Sequence, residues 1–336
     1  MDARQPPPLL DRALGRVASR FMASRIPSPS VGLLGEPRTR AMLEALDAHR
    51  PRALALAAAW DAGEPGASEA YGAHAADALA FMRRRTVELA RAPLERAAAA
   101  VHRRFGDTDE REHLDDPDLD PRVRVRMIEH LDALNRVIGS YRAFLRAMEP
   151  LFARDRPTRL LDLAAGHGGF ALDLAREARA RGLALEITAT DLRAEYLALG
   201  EAVARREGLP VDFAVQDALD LSNLAPGAFD LIVCTQAIHH FPASMTARMF
   251  REAARAATRG VVFVDGCRSV MQGALIRTLG HLRYRDAGLA HDAWVSFRRF
   301  YAPEELGLLA RLGPEAPDVE AKWMRPGHCL VRYRRP

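Results

Sequence analysis

Asp162-Leu163-Ala164-Ala165-Gly166-His167-Gly168-Gly169 is the stretch on which the reading of this chain turns. The apolar run at 159–163 before it has the length of a buried strand, and a helical pattern opens near Gly168. Glycine at such a junction allows a tight backbone and close approach of a ligand, while the helix start offers unpaired N–H groups. The spacing Gly166-x-Gly168-x-x-Ala171 fits a dinucleotide fingerprint, and Asp191 lies where that motif expects a ribose-binding acid. Asp162 points elsewhere. A pyrophosphate gains nothing from a carboxylate just before the loop, whereas the ammonium group of a bound amino acid does. Both ligand classes stay open on these residues alone.

Outward from the loop, short apolar runs at 185–190, 211–215, 229–234 and 261–264 alternate with helical stretches beginning near Arg193 and Ser244. That alternation predicts an α/β fold with a parallel sheet and right-handed crossovers. Further on, the pattern predicts a helix near 271–282, a polar loop, a helix near 303–312 and two closing strands between Val319 and Tyr333. Upstream, the segment from Leu9 to Phe105 reads as alanine-rich helix broken at Pro27, Pro29, Pro51 and Gly63-Glu64-Pro65-Gly66. Asp115-Asp116-Pro117-Asp118-Leu119-Asp120-Pro121 punctuates the chain, and Asp120-Pro121 makes a good N-cap and first helical residue. After it, Met127, Leu131, Leu134, Ile138, Tyr141, Leu145 and Met148 form one helical stripe. The carboxylates between Asp115 and Asp120 lack the spacing of a calcium loop and read as a solvated linker, so no metal site is expected.

The net charge of +4 over 336 residues does not mark a nucleic-acid binder, because the basic residues alternate with Asp and Glu. Lys322 is the only lysine; the runs Arg83-Arg84-Arg85 and Arg332, Arg334, Arg335 are the only basic groups that stand out. Cys234, Cys267 and Cys329 lack metal or redox spacing, which suggests a reduced, intracellular protein. The start Met1-Asp2-Ala3-Arg4-Gln5-Pro6-Pro7-Pro8 has no apolar run suited to a signal peptide, and no stretch approaches the roughly 20 apolar residues of a membrane span. A cytoplasmic protein with no membrane and no nucleic-acid partner is expected.

The segment 160–175, Leu-Leu-Asp-Leu-Ala-Ala-Gly-His-Gly-Gly-Phe-Ala-Leu-Asp-Leu-Ala, resembles the first motif of class I S-adenosylmethionine-dependent methyltransferases. Ile187-Thr188-Ala189-Thr190-Asp191-Leu192 is similar to the second motif, Gln216-Asp217-Ala218 to the third, and 229–241, ending in Ile238-His239-His240-Phe241, to the fourth strand and its loop. The resemblance is to small-molecule members of the ubiquinone and menaquinone biosynthesis type. It implies a Rossmann-like α/β fold with a mostly parallel seven-stranded sheet and a helical N-terminal extension. Together with the punctuation at 115–121, this gives a helical region at 1–120, a lid, a homodimer surface or both, on which the resemblance says little, and a methyltransferase domain at 121–336 with a helical insertion near 268–300.

The same resemblance implies S-adenosyl-L-methionine as cofactor. Asp162, Ala164, Gly166, His167 and Gly168 would hold its amino-acid end, Asp191 with Leu192 the ribose, and Asp217 with Ala218 the adenine; Thr235 completes the cofactor set. Alanine replaces the family's frequent glycine at 164, and His167 stands where a small polar residue is common. For transfer to oxygen a proton must also leave, for which His239 or His240 at the end of the fourth strand is suited. His291, in the cluster His291-Asp292-Ala293-Trp294-Val295-Ser296-Phe297-Arg298-Arg299-Phe300-Tyr301, is a third candidate, with Arg298 and Arg299 as candidate substrate contacts. The expected reaction is O-methylation of a phenolic, quinone-like or polyketide-type small molecule. C-methylation, a nicotinamide-dependent oxidoreductase and a binding protein with a vestigial domain are the alternatives.

Overall fold

A computed structural model describes residues 29–336 except 107, 226, 315–318 and 326. The expected helix from Leu9 and its break at Pro27 fall outside the described residues. The strands are β1 (Thr158–Leu163), β2 (Leu185–Asp191), β3 (Val211–Val215), β4 (Phe229–Thr235), β5 (Ala257–Gly266), β6 (Val319–Met324) and β7 (His328–Arg334). They form one seven-stranded sheet in the order β3-β2-β1-β4-β5-β7-β6. The first five run parallel; β7 is antiparallel to β5, and β6 to β7. The mostly parallel seven-stranded Rossmann-like α/β sheet is therefore as expected.

The helices are α1 (Pro29–Asp61), α2 (Ala67–Leu89), α3 (Pro93–Gly106), α4 (Pro121–Ile138), α5 (Ser140–Met148), α6 (Gly169–Arg181), α7 (Ala194–Glu207), α8 (Ala243–Ala256), α9 (Val270–Leu279), α10 (Ala287–Arg299) and α11 (Pro303–Arg311). Alternation along the strands sends Leu161, Ile232 and Phe263 to one face and Leu160, Val233 and Val262 to the other. The first face packs against α1, α2, α8 and α11, the second against α5, α6 and α7. Both faces are covered, which is why these strands read as continuous apolar runs. Ala41, Ala45, Tyr71, Ala75 and Leu79 belong to the same buried cluster as Ile232 and Phe263, so α1 and α2 share the sheet's core. A third cluster, including Phe105, Leu134, Ile276 and Phe297, joins α3, α4, α9 and α10.

Four details differ from the sequence reading. Pro51 does not break the helix: α1 runs through both Pro37 and Pro51. Each interior proline costs about 3 kcal/mol, and burial of Ala41, Ala45, Ala53 and Ala57 offsets it. The stripe from Met127 to Met148 spans two helices, because Gly139 ends α4 in the left-handed region at φ 79°. The stretch after Leu279 is not simply a polar loop: a π turn at Gly280–Tyr284 leads into α10. The 261–264 run is the middle of a longer strand, Ala257–Gly266. Asp120 caps α4 as anticipated, accepting from the amides of Arg122 and Val123. No helix among the described residues is long and apolar enough to cross a membrane.

At the N-terminal edge of the sheet, the carboxylate of Asp230 on β4 is wholly buried. It accepts from Arg156 Nη1 and Nη2 at 2.6 and 2.7 Å, from the Arg159 amide at 2.9 Å and from Thr258 Oγ1 at 2.9 Å. The Arg156 bonds hold its pKa far below the usual carboxylate range. One side chain thus ties β4 to the starts of β1 and β5. The arginines are half-exposed, so their charge is screened and the loss on deletion comes mainly from the stranded amide and hydroxyl. Asp230→Ala is expected to lower the unfolding free energy by about 2 kcal/mol, read as a shifted urea midpoint with unchanged slope; an unshifted midpoint would refute the staple.

Candidate active site

Two adjoining cavities open at the C-terminal edge of the sheet, where ligands gather in such folds. The first, about 270 Å³, lies against the glycine loop (Ala164, Gly166, His167), the ends of β2 and β4 (Asp191, Thr235) and α4. The second, about 150 Å³, is more apolar and is bounded by α4, α9 and α10. Leu114, Leu131, Asn135, Gln236 and His240 line both. They form the common wall.

The loop geometry follows from local constraints. Gly166 has φ 59°, and a Cβ there would meet nothing within 4 Å, so backbone conformation rather than crowding calls for glycine. Its amide donates to Asp191 Oδ2 at 2.8 Å, and the Arg193 amide donates to Oδ1 at 2.9 Å. Ala164 sits at φ 51°, a left-handed position that costs a residue with a Cβ roughly 1–2 kcal/mol. Alanine in place of the family's frequent glycine is therefore felt as backbone strain.

His167 is not a loose loop residue. Its Nε2 donates to Asp132 Oδ2 at 2.9 Å, and Tyr141 Oη donates to Asp132 Oδ1 at 2.5 Å. Burial pushes the Asp132 pKa up, but the His167 bond and charge outweigh it and leave it below the usual value. A Cβ on Gly169 would lie 2.3 Å from Asp132 Oδ1 and 2.7 Å from His167 Nε2, so this network needs glycine there.

Asp162 is only 1% exposed, and neither carboxylate oxygen has a hydrogen-bond partner. Burial, with Asp191 adding repulsion, raises its pKa well above normal. A buried acid without donors is costly, and a cationic group of a ligand at the loop would relieve it. That orphaned carboxylate fits the ammonium of an amino-acid ligand and opposes a pyrophosphate. Asp162 lies beneath the loop rather than on the cavity wall. Gly168 faces Phe213 instead, where a Cβ would come within 2.8 Å. Leu192 is 68% exposed, Asp217 is exposed and accepts from the Leu219 amide, and Ala218 is in the core; none of the three lines the cavity.

The three candidate bases separate. His239 is buried with Nδ1 2.9 Å from Asp265 Oδ2 and Nε2 3.3 Å from Glu112 Oε1. Burial alone would lower its pKa, but Asp265 and Glu112 overcome it and push the imidazole up to about 10. With a carboxylate against each ring nitrogen, the imidazolium form is favoured, which argues against the base role expected of it. His240 is half-buried, lines both cavities and has Nδ1 3.1 Å from Asp115 Oδ1. His291 lines neither; its Nδ1 lies 3.1 Å from the carboxylate of adjacent Asp292.

Glu112, Asp115, Asp132, Asn135, Gln236 and His328 were missed. Asp115, read as part of a solvated linker, sits against the shared wall; His240 and Arg299 overcome its burial and lower its pKa to about 2. Asp292 anchors this segment, accepting from the amides of His113 and Leu114 at 2.8 and 3.1 Å. Arg298 and Arg299, expected to face substrate, instead hold Glu110 and Asp115. Asn135 and Gln236 exchange two amide hydrogen bonds at 2.8 and 2.9 Å, with Gln236 in a left-handed conformation at φ 57°. Burial lowers the His328 pKa to about 4, which makes it a neutral imidazole in the second cavity. Glu112, His239 and His240 offer metal-ligand atoms within 4.8 Å of one another, as do His113, His291 and Asp292. In the first group Glu112, together with Asp265 outside it, already flanks the His239 nitrogens, which suits a held proton.

Residues 160–260 match a family model described as a methyltransferase domain. A ubiquinone biosynthesis O-methyltransferase of Xanthomonas euvesicatoria is 34% identical over 84 residues, covering 25% of this chain and 33% of the relative. The corresponding protein of Xanthomonas axonopodis is 33% identical over 97 residues, covering 28% and 38%. The chain thus spans about a third of the length of the curated relatives it matches. Among solved structures, the plantazolicin methyltransferase BpumL in complex with SAH is 12% identical with a TM-score of 0.49, covering 70% of this chain and 96% of that one. A SAM-dependent methyltransferase from Aquifex aeolicus is 15% identical with a TM-score of 0.43, covering 65% and 99%.

The His239 arrangement has a definite pH signature. An imidazole raised from about 6.5 unfolded to about 10 folded gives stability that is fully present below pH 6.5 and lost as pH rises through 10. The unfolding free energy of the wild type should fall over that window more than that of His239→Gln. Parallel curves would show that the charge is not held.

Proposed function

We propose that this chain, which carries a class I methyltransferase domain, transfers a methyl group from S-adenosylmethionine to an oxygen of a small phenolic, quinone-like or polyketide-type acceptor. The observation that carries this reading is the pair of cavities sharing one wall that includes His240: a larger one against the glycine loop and a more apolar one beside α9 and α10. The orphaned Asp162 supports the cofactor: buried beneath the loop without a donor, it is relieved by a nearby ammonium group and gains nothing from the pyrophosphate of a nicotinamide dinucleotide. The O-methyltransferase relatives support oxygen as the acceptor atom.

Bound beside the loop, adenosylmethionine supplies a methyl group on a sulfonium. In this reading Asp162, Ala164, Gly166, His167, Asp191 and Thr235 hold it. Placing the acceptor in the neighbouring cavity provides the proximity on which an in-line displacement chiefly depends. Leu134, Ile276, Phe297 and Phe300 exclude water around it. His240 accepts the acceptor's hydroxyl proton, with Asp115 orienting the ring and favouring the imidazolium that forms. His239 stays protonated and holds Glu112 in place. The region at 1–120 acts as a cover for the acceptor through its segment around Glu112 and Leu114.

Two substitutions test the assignments. His240→Ala should cut turnover about 10²- to 10⁴-fold while leaving adenosylhomocysteine affinity intact; unchanged turnover would remove the base. Asp191→Ala should abolish adenosylhomocysteine binding by calorimetry. Tight binding of NADH with none of adenosylhomocysteine would overturn the whole reading.

A further inference from the structure

A separate cavity of about 430 Å³ lies between α1, α2 and α3 and shares no lining residue with the two above. Five arginines line it, Arg38, Arg83, Arg84, Arg103 and Arg268, against only Glu88 and Glu305 as acids. Glu305 is already committed. Its Oε1 accepts from Arg83 Nε at 2.7 Å and Arg268 Nη1 at 3.4 Å, and its Oε2 from the Ala302 amide at 2.9 Å. Glu88 is paired with Arg85.

The remaining donors have no such partners. Arg38 is 4% exposed; its Nη2 donates to His102 Nδ1 at 3.0 Å, while Nη1 has no partner. Because Nδ1 accepts that bond, the neutral His102 carries its proton on Nε2, which is buried and also unpartnered. Burial first, then Arg38 and Arg268, lower the His102 pKa to about 3, so the ring does not add a charge. Arg268 is 7% exposed and its Nε is unpartnered as well. Glu304 Oε2 also lacks a partner but does not line this cavity. Three buried, unpartnered N–H donors therefore belong to residues that line one cavity, and each unmet donor costs about 1–3 kcal/mol. Native proteins seldom leave such groups unexplained.

We propose that this cavity binds a small organic anion, its carboxylate or phosphate head on Arg38, His102 and Arg268 and its apolar body against Leu34, Met82 and Ala99. Guanidinium groups suit either head, since both present oxygens in the geometry of a planar fork. Such a ligand would clamp α3 to α1 and α2. The chain leaves α3 at Gly106 and runs on to Glu112, so the clamp also steadies the arm that reaches His239.

The test is calorimetric titration of the full chain with hexanoate and with hexyl phosphate, which distinguishes the two heads. At least one should bind at a single site. Arg38→Gln should weaken it about 10- to 100-fold, and Arg103→Gln, on the exposed rim, severalfold. Adenosylhomocysteine affinity, measured on the same samples, should not change, so this result stands or falls apart from the methyl-transfer reading. Absence of binding by either anion overturns the proposal, as does wild-type affinity in both variants. Should Arg38→Gln fail to fold, unchanged affinity in Arg103→Gln is enough to reject it.

Discussion

The active end of this molecule depends on one proton held between two buried carboxylates. Asp265 at the end of β5 and Glu112 in the arm before α4 would repel each other across the gap; the His239 imidazolium turns that repulsion into a clamp. Phe300 packs edge-on to the same ring at 4.7 Å and keeps water from it. With Glu112 fixed, the short turn at His113–Asp115 is pinned on its other side by Asp292, and Leu114 and Asp115 take their places on the cavity walls. The strength of such a bridge comes from satisfied geometry as much as from charge: Glu112 Oε1 also accepts from Ser296 Oγ at 2.7 Å.

The consequence is a division of labour between neighbouring histidines that their sequence does not advertise. His239 faces inward to two acids, which favour its charged form. His240, one residue on, lines both cavities, with Asp115 at 3.1 Å and Glu112 at 3.8 Å. A single turn at Ile238–His240 thus carries one imidazole held between two buried acids and, beside it, one that lines both cavities.

How much of this was legible depended on whether a signal was local. The glycine loop, the strand ends and the Asp120 cap were legible because each is set by a few consecutive residues. Asp191 was legible through its spacing from the loop. Glu112, Asp132 and Gln236 were not, since each works through a partner far along the chain: Glu112 with His239, Asp132 with His167, Gln236 with Asn135. Asp115 carried a misleading local signal, an acidic and proline-rich setting typical of a linker. The α10 region read as a polar loop because its polar residues mask the helical pattern, and Asp292, Ser296, Arg298 and Arg299 turn toward the 105–115 arm rather than toward substrate. Pro51 misled for a related reason: helix propensity argues for a break, and the packing that overrides it involves residues of other helices.

The two edges of the sheet are built on opposite principles. At one, Asp230 has every oxygen occupied; at the other, Asp162 has none. Local opening is governed by what each edge stands to lose. Amide protons at the starts of β1, β4 and β5 should thus exchange only through global unfolding, and those of the glycine loop through small fluctuations. The stapled edge therefore has paired donors to lose on opening, whereas the acid beneath the loop has none.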